Sequence, residues 1–318
     1  MIVETQPAAR RMSAPSPLAD IRRRSRRQAG PRSRYRWSGL LYIAPAFAVY
    51  VAFVVLPALH TMYLSMFNWD GITDATWAGF ANYRAVADNA LLRDAVVHAL
   101  VLVVFFSFVP IVLGLLLTAL LARHRRRGMT MFRVIFFLPQ IVPLVAVGIT
   151  WRWMYTQDGA VNQILRFFGL ARVTRAWLGD FHLALFAVGV IGTWTLAGLC
   201  MMLFLSGAQK VDVALYEAVR LDGAGALREF SAVTLPALRG EIRVALTVTT
   251  IAALASFDIV YVSTNGAPGN GTTVPGLLVY RLAFSQDQVG LAAALAVVLT
   301  VLILLVVLLI SLSVRSDS

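Results

Sequence analysis

Charged side chains are scarce in this sequence. They make up 14% of the 318 residues, whereas a soluble globular domain carries about 25% charged residues. Hydrophobic residues reach 59%, and the mean hydropathy is +0.74. Because so few charges are present to cover an aqueous surface, most of the exterior must face lipid. The composition therefore predicts a polytopic membrane protein.

Cysteine and lysine each occur once. A single cysteine, Cys200, excludes an internal disulfide framework and a metal site built from cysteines. The phosphate-binding P-loop needs a Gly-Lys-Ser/Thr sequence, but Lys210, the single lysine, follows Gln209 and precedes Val211. The chain therefore cannot carry an ordinary P-loop ATPase site.

Motifs for catalysis and metal binding are also missing. The sequence has no HExxH or GxSxG motif and no clustered set of His and Asp. The histidines fall in or beside different predicted segments and predict no metal site. They are His60, His98, His124 and His182. We therefore expect that the chain is not an enzyme and has no catalytic residue.

Positive charge is concentrated at the N-terminus. Residues 1–37 contain ten arginines and two acids, and so carry +8 of the net charge of +12. They have few large apolar side chains and cannot bury enough surface to fold alone. We expect a disordered cytosolic tail held near anionic lipid. Nucleic-acid binding is the alternative, but the tail contains no recognisable module for it.

Six apolar runs are long enough to cross a bilayer, which takes about 20 residues. The predicted spans are Gly39–Leu59, Ala95–Leu121, Met131–Trp153, Leu183–Leu205, Ile242–Val262 and Gly290–Leu312. Together they form one predicted membrane domain over residues 38–314, followed by a short cytosolic C-terminus at 315–318.

Arginines are distributed unequally between the two sides of the membrane. The N-terminal tail and the loops after the second and fourth spans are rich in arginine, whereas the other loops carry fewer. Basic residues favour the cytoplasmic side. Both termini are therefore predicted to be cytosolic, which six spans allow, and the loop at 212–236 is predicted to be cytosolic as well.

The loop between the fourth and fifth spans has the pattern of two short helices. Asp212 suits the N-cap of a helix over Val213–Asp222, and Gly223 suits the left-handed residue that ends it. A second helix is expected over Ala224–Val233, before Pro236 prevents a smooth continuation into the fifth span.

The charge of this loop favours a protein partner. An amphipathic helix at the membrane boundary can lie on lipid or enter a groove on another protein. Helices that bind lipid tend to be basic. Residues 212–229, however, contain two arginines and four acids, Asp212, Glu217, Asp222 and Glu229. The acids predict a groove on a partner protein.

Two predicted spans contain polar or aromatic side chains of interest. In the third, Pro139 and Pro143 flank Gln140 and remove backbone donors, so this helix is expected to kink. The kink could line a pathway, or it could serve packing against a neighbour. In the fourth, Trp194 lies beside Thr195 and could stack on a sugar ring or simply pack.

The fifth predicted span ends with aromatic residues around a carboxylate. Asp258 and Tyr261 are three residues apart and so share a helix face, with Phe257 next to them. A carboxylate near membrane depth is costly unless it faces a cavity or a partner. Aromatic rings that stack on the ligand, and carboxylate oxygens that accept hydrogen bonds from its hydroxyl groups, suit a polyhydroxylated ligand. The alternative is a wet pair at the outer membrane interface.

The polar loop resembles a known family motif. Glu217-Ala218-Val219 is followed after three residues by Gly223 and, after nine more, by Val233-Thr234-Leu235-Pro236. This is similar to the EAA loop of permease subunits in binding-protein-dependent ABC importers, which reads Glu-Ala-Ala, three residues, Gly, nine residues, Ile-x-Leu-Pro. Val219 and Val233 depart mildly from that pattern.

Other segments resemble the carbohydrate-uptake branch of the same family, and the likeness covers about residues 38–314. These segments are Phe67–Gly71, Gly79–Arg84, Arg133–Pro139, Trp151–Trp153, Tyr216–Ala224 and Phe257–Pro268. The resemblance implies an all-α permease of the bacterial cytoplasmic membrane with the MetI-like fold of type I importers. It also implies transport of a sugar or a related polyol or glycoside.

The resemblance further implies partners. A second permease subunit, expected to be a paralogue, would complete the pathway, and an extracytoplasmic sugar-binding protein would deliver the substrate. Two copies of an ATPase subunit would bind ATP and magnesium and grip the cytosolic loop. The implied coupling residues are Glu217, Ala218, Val219, Asp222, Gly223, Leu235 and Pro236.

A stand-alone secondary transporter is the alternative function. Such transporters have internal repeats and titratable residues at mid-membrane. No repeat is visible here, and Asp258 is the sole acid inside a predicted span. The sequence therefore favours the importer permease.

Overall fold

The computed structural model describes residues 34–122 and 128–313. This part of the chain is mostly helical, as the family resemblance implies. Its strand content is one antiparallel pair, Phe67–Asn68 (β1) with Thr76–Trp77 (β2), in which Phe67 faces Trp77. Most of the predicted tail at 1–37, the arginines at 123–127 and the C-terminal residues 315–318 lie outside the described residues.

The described part of the chain divides between Leu59 and His60 into two compact units. In the first, a continuous helical segment begins with Arg34–Tyr50 (α1) and passes through a π-helical turn at Val51–Val55 into Leu56–Leu64 (α2). The helix thus starts at Arg34, inside the predicted tail and before the predicted Gly39.

The second unit contains the remaining helices, several of them much shorter than a membrane span. They are Ala81–Asp88 (α3), Ala90–Val103 (α4), Val109–Ala122 (α5), Met129–Ile141 (α6), Leu144–Met154 (α7), Ala160–Phe167 (α8), Ala184–Ala208 (α9), Val213–Leu221 (α10), Ala226–Glu229 (α11), Leu235–Ala237 (α12), Arg239–Leu254 (α13), Asp258–Ser263 (α14), Pro275–Phe284 (α15) and Val289–Ser313 (α16). Further π-helical turns lie at Val104–Phe108 and Phe230–Thr234, and 3-10 turns at Ala171–Val173 and Trp177–Gly179.

Helical segments occur at all six predicted span positions. Within the residues described, four are long and apolar enough to cross a membrane, namely Tyr42–Leu64, Ala90–Leu121, Ala184–Ala208 and Val289–Ser313. A fifth is added if the bent pair Thr130–Ile141 and Leu144–Met154 counts as one span. The fifth predicted span, Ile242–Val262, is not one continuous helix.

Two predicted spans are broken, for different reasons. The third bends by 99° between α6 and α7, where Val142 is extended before Pro143, as the residue before a proline prefers. The fifth was expected to run on to Val262, but α13 ends at Leu254 and α14 begins only at Asp258. No glycine or proline lies at that second break, so the continuous apolar run in the sequence predicted an unbroken helix.

Each of the three π-helical turns ends two residues before a proline, Pro57, Pro110 or Pro236. A proline lacks the backbone N–H group and its ring clashes with the carbonyl four residues earlier. A single wider turn accommodates such a defect inside a helix. The helical segments that contain Pro57 and Pro110 therefore continue past these prolines through π-helical turns.

The turn at Val104–Phe108 directs a hydroxyl group into the protein interior. Buried Ser107 accepts a hydrogen bond from Thr249 Oγ1 of α13 at 2.7 Å and lies 3.2 Å from Thr250 Oγ1. The carbonyl oxygen of Ala245 also lies 2.7 Å from Thr249 Oγ1 and competes for its single hydroxyl hydrogen. The hydroxyl cluster Ser107–Thr249–Thr250 thus joins the helix pair α4–α5 to α13.

Helix α9 lies at the centre of the second unit. Its buried residues Val188 and Ile191 belong to one apolar cluster with Leu102 and Phe106 from the segment that includes α4. The same cluster includes residues of α7, α14 and α15. The short helices that follow the two breaks therefore pack onto the long central helix.

Candidate functional site

The polar loop after α9 begins as the sequence predicts. Asp212 caps α10, and the backbone N–H of Ala214 donates to Asp212 Oδ1 at 3.0 Å. The helix ends at Leu221, and Gly223 adopts φ +77°. This left-handed position favours glycine. The expected cap, first helix and tight bend are confirmed.

The first arm of the loop is α10, and the second arm comprises the residues from Ala226 to Ala237. This second arm differs from the prediction. A single helix over Ala224–Val233 was expected, but α11 covers only Ala226–Glu229 and the π-helical turn Phe230–Thr234 follows it. Pro236 does not end the helical segment, because it lies in the first turn of α12, where a missing N–H group is tolerated. The change of direction before α13 falls at Leu238.

The predicted coupling residues lie mostly on the surface of this loop. Glu217, Ala218, Asp222 and Gly223 are exposed, and Val219 is half-buried. Leu235 and Pro236 of the second arm are exposed too. The loop therefore presents its acidic first helix to the surroundings.

Large apolar side chains are exposed beside these acids. Leu221 is 89% exposed and Leu227 81% exposed, and Val213 and Leu215 are also largely uncovered. An apolar patch next to acids, on a loop outside the apolar spans, is typical of a surface for a protein partner. The sequence pattern did not separate these residues from core positions.

One acid of the loop points inward. Arg220 donates from Nε to Glu229 Oε2 at 2.9 Å and from Nη2 to Glu229 Oε1 at 3.1 Å. The hydrogen bonds to Glu229 raise the pKa of the Arg220 guanidinium above its usual value. Glu229 was counted with the partner-facing acids, but it is buried inside the loop. Only the arrangement of the two arms reveals this.

A second candidate region lies around the break in the fifth span. Phe257 and Tyr261 stack with ring centroids 5.1 Å apart. Tyr280 of α15 lies 5.4 Å from Phe257 and 5.1 Å from Tyr261, and Phe284 is 5.3 Å from Tyr280. We call Phe257, Tyr261, Tyr280 and Phe284 the aromatic cluster. Asp258 opens α14 next to it and is exposed.

The sequence analysis identified half of the aromatic cluster. Tyr280 and Phe284 were missed because α15 is too short and too far along the chain to be linked with the fifth span. Their spacing of four residues on one helix face was the available signal. The cluster offers aromatic faces beside a carboxylate, as the hypothesis of a polyhydroxylated ligand requires.

The other predicted pathway residues have separate partners. Trp194 meets Trp151 edge to face, with centroids 5.6 Å apart. Thr195 is buried and donates to Ile191 O of its own helix at 2.9 Å. Gln140 lies at the end of α6, and its buried Oε1 has no hydrogen-bond partner in the part of the chain that the structure describes.

Among the residues described, no three His, Cys, Asp or Glu side chains come together in a group that could hold an ion. Cys200 is buried within α9.

Comparisons with known proteins agree with this geometry. The family model described as "Binding-protein-dependent transport system inner membrane component" matches residues 111–316. The probable ABC transporter permease protein YurN of Bacillus subtilis is 32% identical, over 80% of this chain and 88% of its own length. The trehalose/maltose transport system permease protein MalF of Thermococcus litoralis is 33% identical, over 81% of this chain and 87% of its own.

A third relative is the diacetylchitobiose uptake system permease protein NgcF of Streptomyces coelicolor. It is 32% identical, over 81% of this chain and 76% of its own. The fold is also that of a solved permease. A chain from a bacterial ABC transporter that imports the acidic polysaccharide alginate superposes with a TM-score of 0.75 at 20% identity, covering 95% of this chain and 99% of that one.

The chain covers most of each relative, and the family model covers more than half of the chain. These matches fit the importer permease and not the stand-alone secondary transporter. This chain belongs to the family of inner membrane components of binding-protein-dependent transport systems, and it is a multi-pass permease subunit of an ABC importer.

Proposed function

We propose that this subunit imports a sugar, oligosaccharide or related glycoside, and that α10 transmits the motion of separate ATPase subunits to the membrane domain. The carrying observation is the polar loop at 212–236, where α10 exposes Glu217 beside apolar Leu221 and Leu227. Because this chain has no P-loop of its own, it needs a surface on which the motion of a separate ATPase subunit can act. Glu217 would pair with a basic residue of the ATPase, and exposed Ala218 allows close approach.

The sugar substrate is supported by the relatives and by the aromatic cluster. The names of similar permeases include diacetylchitobiose uptake, trehalose/maltose transport and lactose transport. In this chain, Phe257, Tyr261 and Tyr280 present ring faces near Asp258. Aromatic faces stack on the apolar faces of sugar rings, and a carboxylate accepts hydrogen bonds from sugar hydroxyl groups. Trp194, Thr195 and Gln140 are the further candidate pathway residues.

The proposed assembly contains a second permease subunit, two ATPase subunits that bind ATP and magnesium, and an extracytoplasmic sugar-binding protein. The chain itself would be non-catalytic. Both termini and the loop at 212–236 would be cytosolic, because arginines are concentrated on that side. Reporter fusions at residue 318 and after Asp74 test this orientation, since only the second should be active as a periplasmic alkaline phosphatase.

The coupling role is tested with Glu217→Lys and Gly223→Pro. Both variants should insert in the membrane but lose uptake and stimulated ATP hydrolysis, because the docking helix loses its charge or its bend. Asp74→Lys makes the same charge change at an exposed position in the loop between β1 and β2 and should retain activity. Normal uptake by both loop variants would refute the proposal.

A further inference from the structure

The two arms of the cytosolic loop are joined by an ion pair with unequal burial. The Arg220 side chain is 56% exposed, whereas that of Glu229 is 4% exposed. Both carboxylate oxygens receive a guanidinium N–H group, at 2.9 and 3.1 Å. Planar two-bond pairing of this kind is the strongest and most directional form of a salt bridge. It fixes the angle of α10 against α11 rather than only their distance.

A second contact lies on the same side of the loop. Tyr216 Oη of α10 is 3.1 Å from Thr234 Oγ1, and Thr234 is buried in the π-helical turn that leads to α12 and α13. The covalent link between the arms runs through Gly223 and Gly225, which are the most permissive residues for backbone rotation. The side-chain contacts must therefore supply the stiffness that this bend lacks.

Removing either partner has a predictable consequence. Substituting Arg220 or Glu229 removes the two hydrogen bonds that join α10 to α11, and breaking a pair with a buried member is strongly destabilising. The pair then no longer fixes the orientation of α10 relative to the second arm.

We propose that the Arg220–Glu229 pair is a clasp that makes α10 and α13 move as one lever. Arg220 and Glu229 are positioning residues: the clasp acts through α10, whose exposed face meets the ATPase, and through the second arm, which continues into the membrane. This inference rests on the proposed coupling role of α10. It assigns Glu229 to the coupling of motion between α10 and α13, and not to the surface that contacts the ATPase.

The test uses the complete complex with its ATPase subunits in nanodiscs and a reporter thiol on α13. Val248→Cys supplies that thiol, because Val248 is exposed on α13 and the native Cys200 is buried. Its rate of maleimide labelling is measured before and after trapping with Mg-ATP and vanadate. Glu229→Gln and Arg220→Gln are each combined with the reporter. Arg228→Gln, which removes an exposed arginine from α11, is the matched control.

Trapping should change the labelling rate in the parent and in the Arg228→Gln control. In both clasp variants the change should shrink about fivefold or more, the range of a typical coupling free energy between sites. The ATPase subunits should still co-purify and hydrolyse ATP. The double variant should behave like either single variant, because both remove one interaction.

Three outcomes overturn the clasp. Full responses in both single variants would show that the pair transmits nothing. Loss of the response in Glu229→Gln alone would indicate a local defect of a buried side chain. Loss of ATPase binding in Arg220→Gln alone would make Arg220 a docking residue. If even the parent fails to respond while the ATPase stays bound, the proposed coupling role fails first, and that result is distinct from the other three.

Discussion

The backbone of Phe136 lies directly against Gly198. A Cβ atom added at Gly198 would stand 2.0 Å from the carbonyl oxygen of Phe136 and 2.7 Å from its carbonyl carbon. Helix α6 therefore crosses α9 at backbone contact distance, just before the bend that separates α6 from α7. Small residues at helix crossings allow this approach in membrane proteins, and the position of the broken span depends on it.

Gly198→Ala should destabilise the folded protein. The new methyl group meets backbone atoms that cannot rotate away, and overpacking of this kind costs about 1–3 kcal/mol. Thermal unfolding in detergent measures the effect. Gly240→Ala is the control, because an added Cβ there meets no atom within 4 Å. Equal melting temperatures for both variants would contradict backbone contact at Gly198.

Ser107→Ala should weaken the attachment of the α4–α5 helix pair to α13. The substitution leaves buried Thr249 without one of its hydrogen bonds, and an interhelical hydrogen bond in a membrane contributes about 0.6 kcal/mol on average. Thr249→Val in the Ser107→Ala background should then add little, because the shared bond is already gone. A double-mutant cycle on unfolding free energies provides the measurement. Strict additivity would show that the two hydroxyl groups are not coupled.

Asp180→Asn should change the pH dependence of stability. Asp180 accepts from the backbone N–H groups of His182 and Leu183 and from Arg175, and the His182 bond is the largest cause of its lowered pKa. A carboxylate with a folded-state pKa below its unfolded value of about 3.9 stabilises the protein above that pH, and the contribution is lost as pH falls further. Wild type should therefore be more stable than Asp180→Asn at pH 7.

The difference between the two proteins should shrink as the pH falls below about 3.9 and be lost once Asp180 is protonated in the folded state. Thermal unfolding across this range isolates Asp180, because all other titrating groups are shared by the two proteins. A constant difference in stability at every pH would mean that the Asp180→Asn substitution destabilises the protein for steric reasons, and not through loss of the charge.

Tyr280→Ala should raise the KM for sugar uptake without lowering the amount of protein in the membrane. Tyr280 contacts Phe257, Tyr261 and Phe284, and each aromatic pair contributes about 0.5–1.5 kcal/mol. If the Tyr280 ring stacks on the sugar with an energy of similar size, its loss should increase KM about tenfold. Phe284→Ala removes an exposed ring at the edge of the cluster and should have a smaller effect. Unchanged KM in Tyr280→Ala would exclude the aromatic cluster from the pathway.

Local features of the polar loop at 212–236 could be predicted from the sequence. Asp212 as a cap and Gly223 as the left-handed terminator follow from backbone chemistry within a few residues, and both are confirmed. The long apolar runs likewise follow from the cost of placing polar groups in lipid. These inferences depend only on neighbouring residues and on the solvent around them.

The sequence by itself thus determined that this is a helical membrane protein with a polar, helix-forming loop between two of its spans. Only the tertiary structure decided that Glu229 turns inward to Arg220, that the fifth span breaks before Asp258 without a proline, and that Tyr280 joins Phe257 and Tyr261. Each of these depends on contacts between segments that are separate in the chain or on how a short helix packs against its neighbours. Periodicity and propensity describe one segment at a time and carry no information about which segments meet.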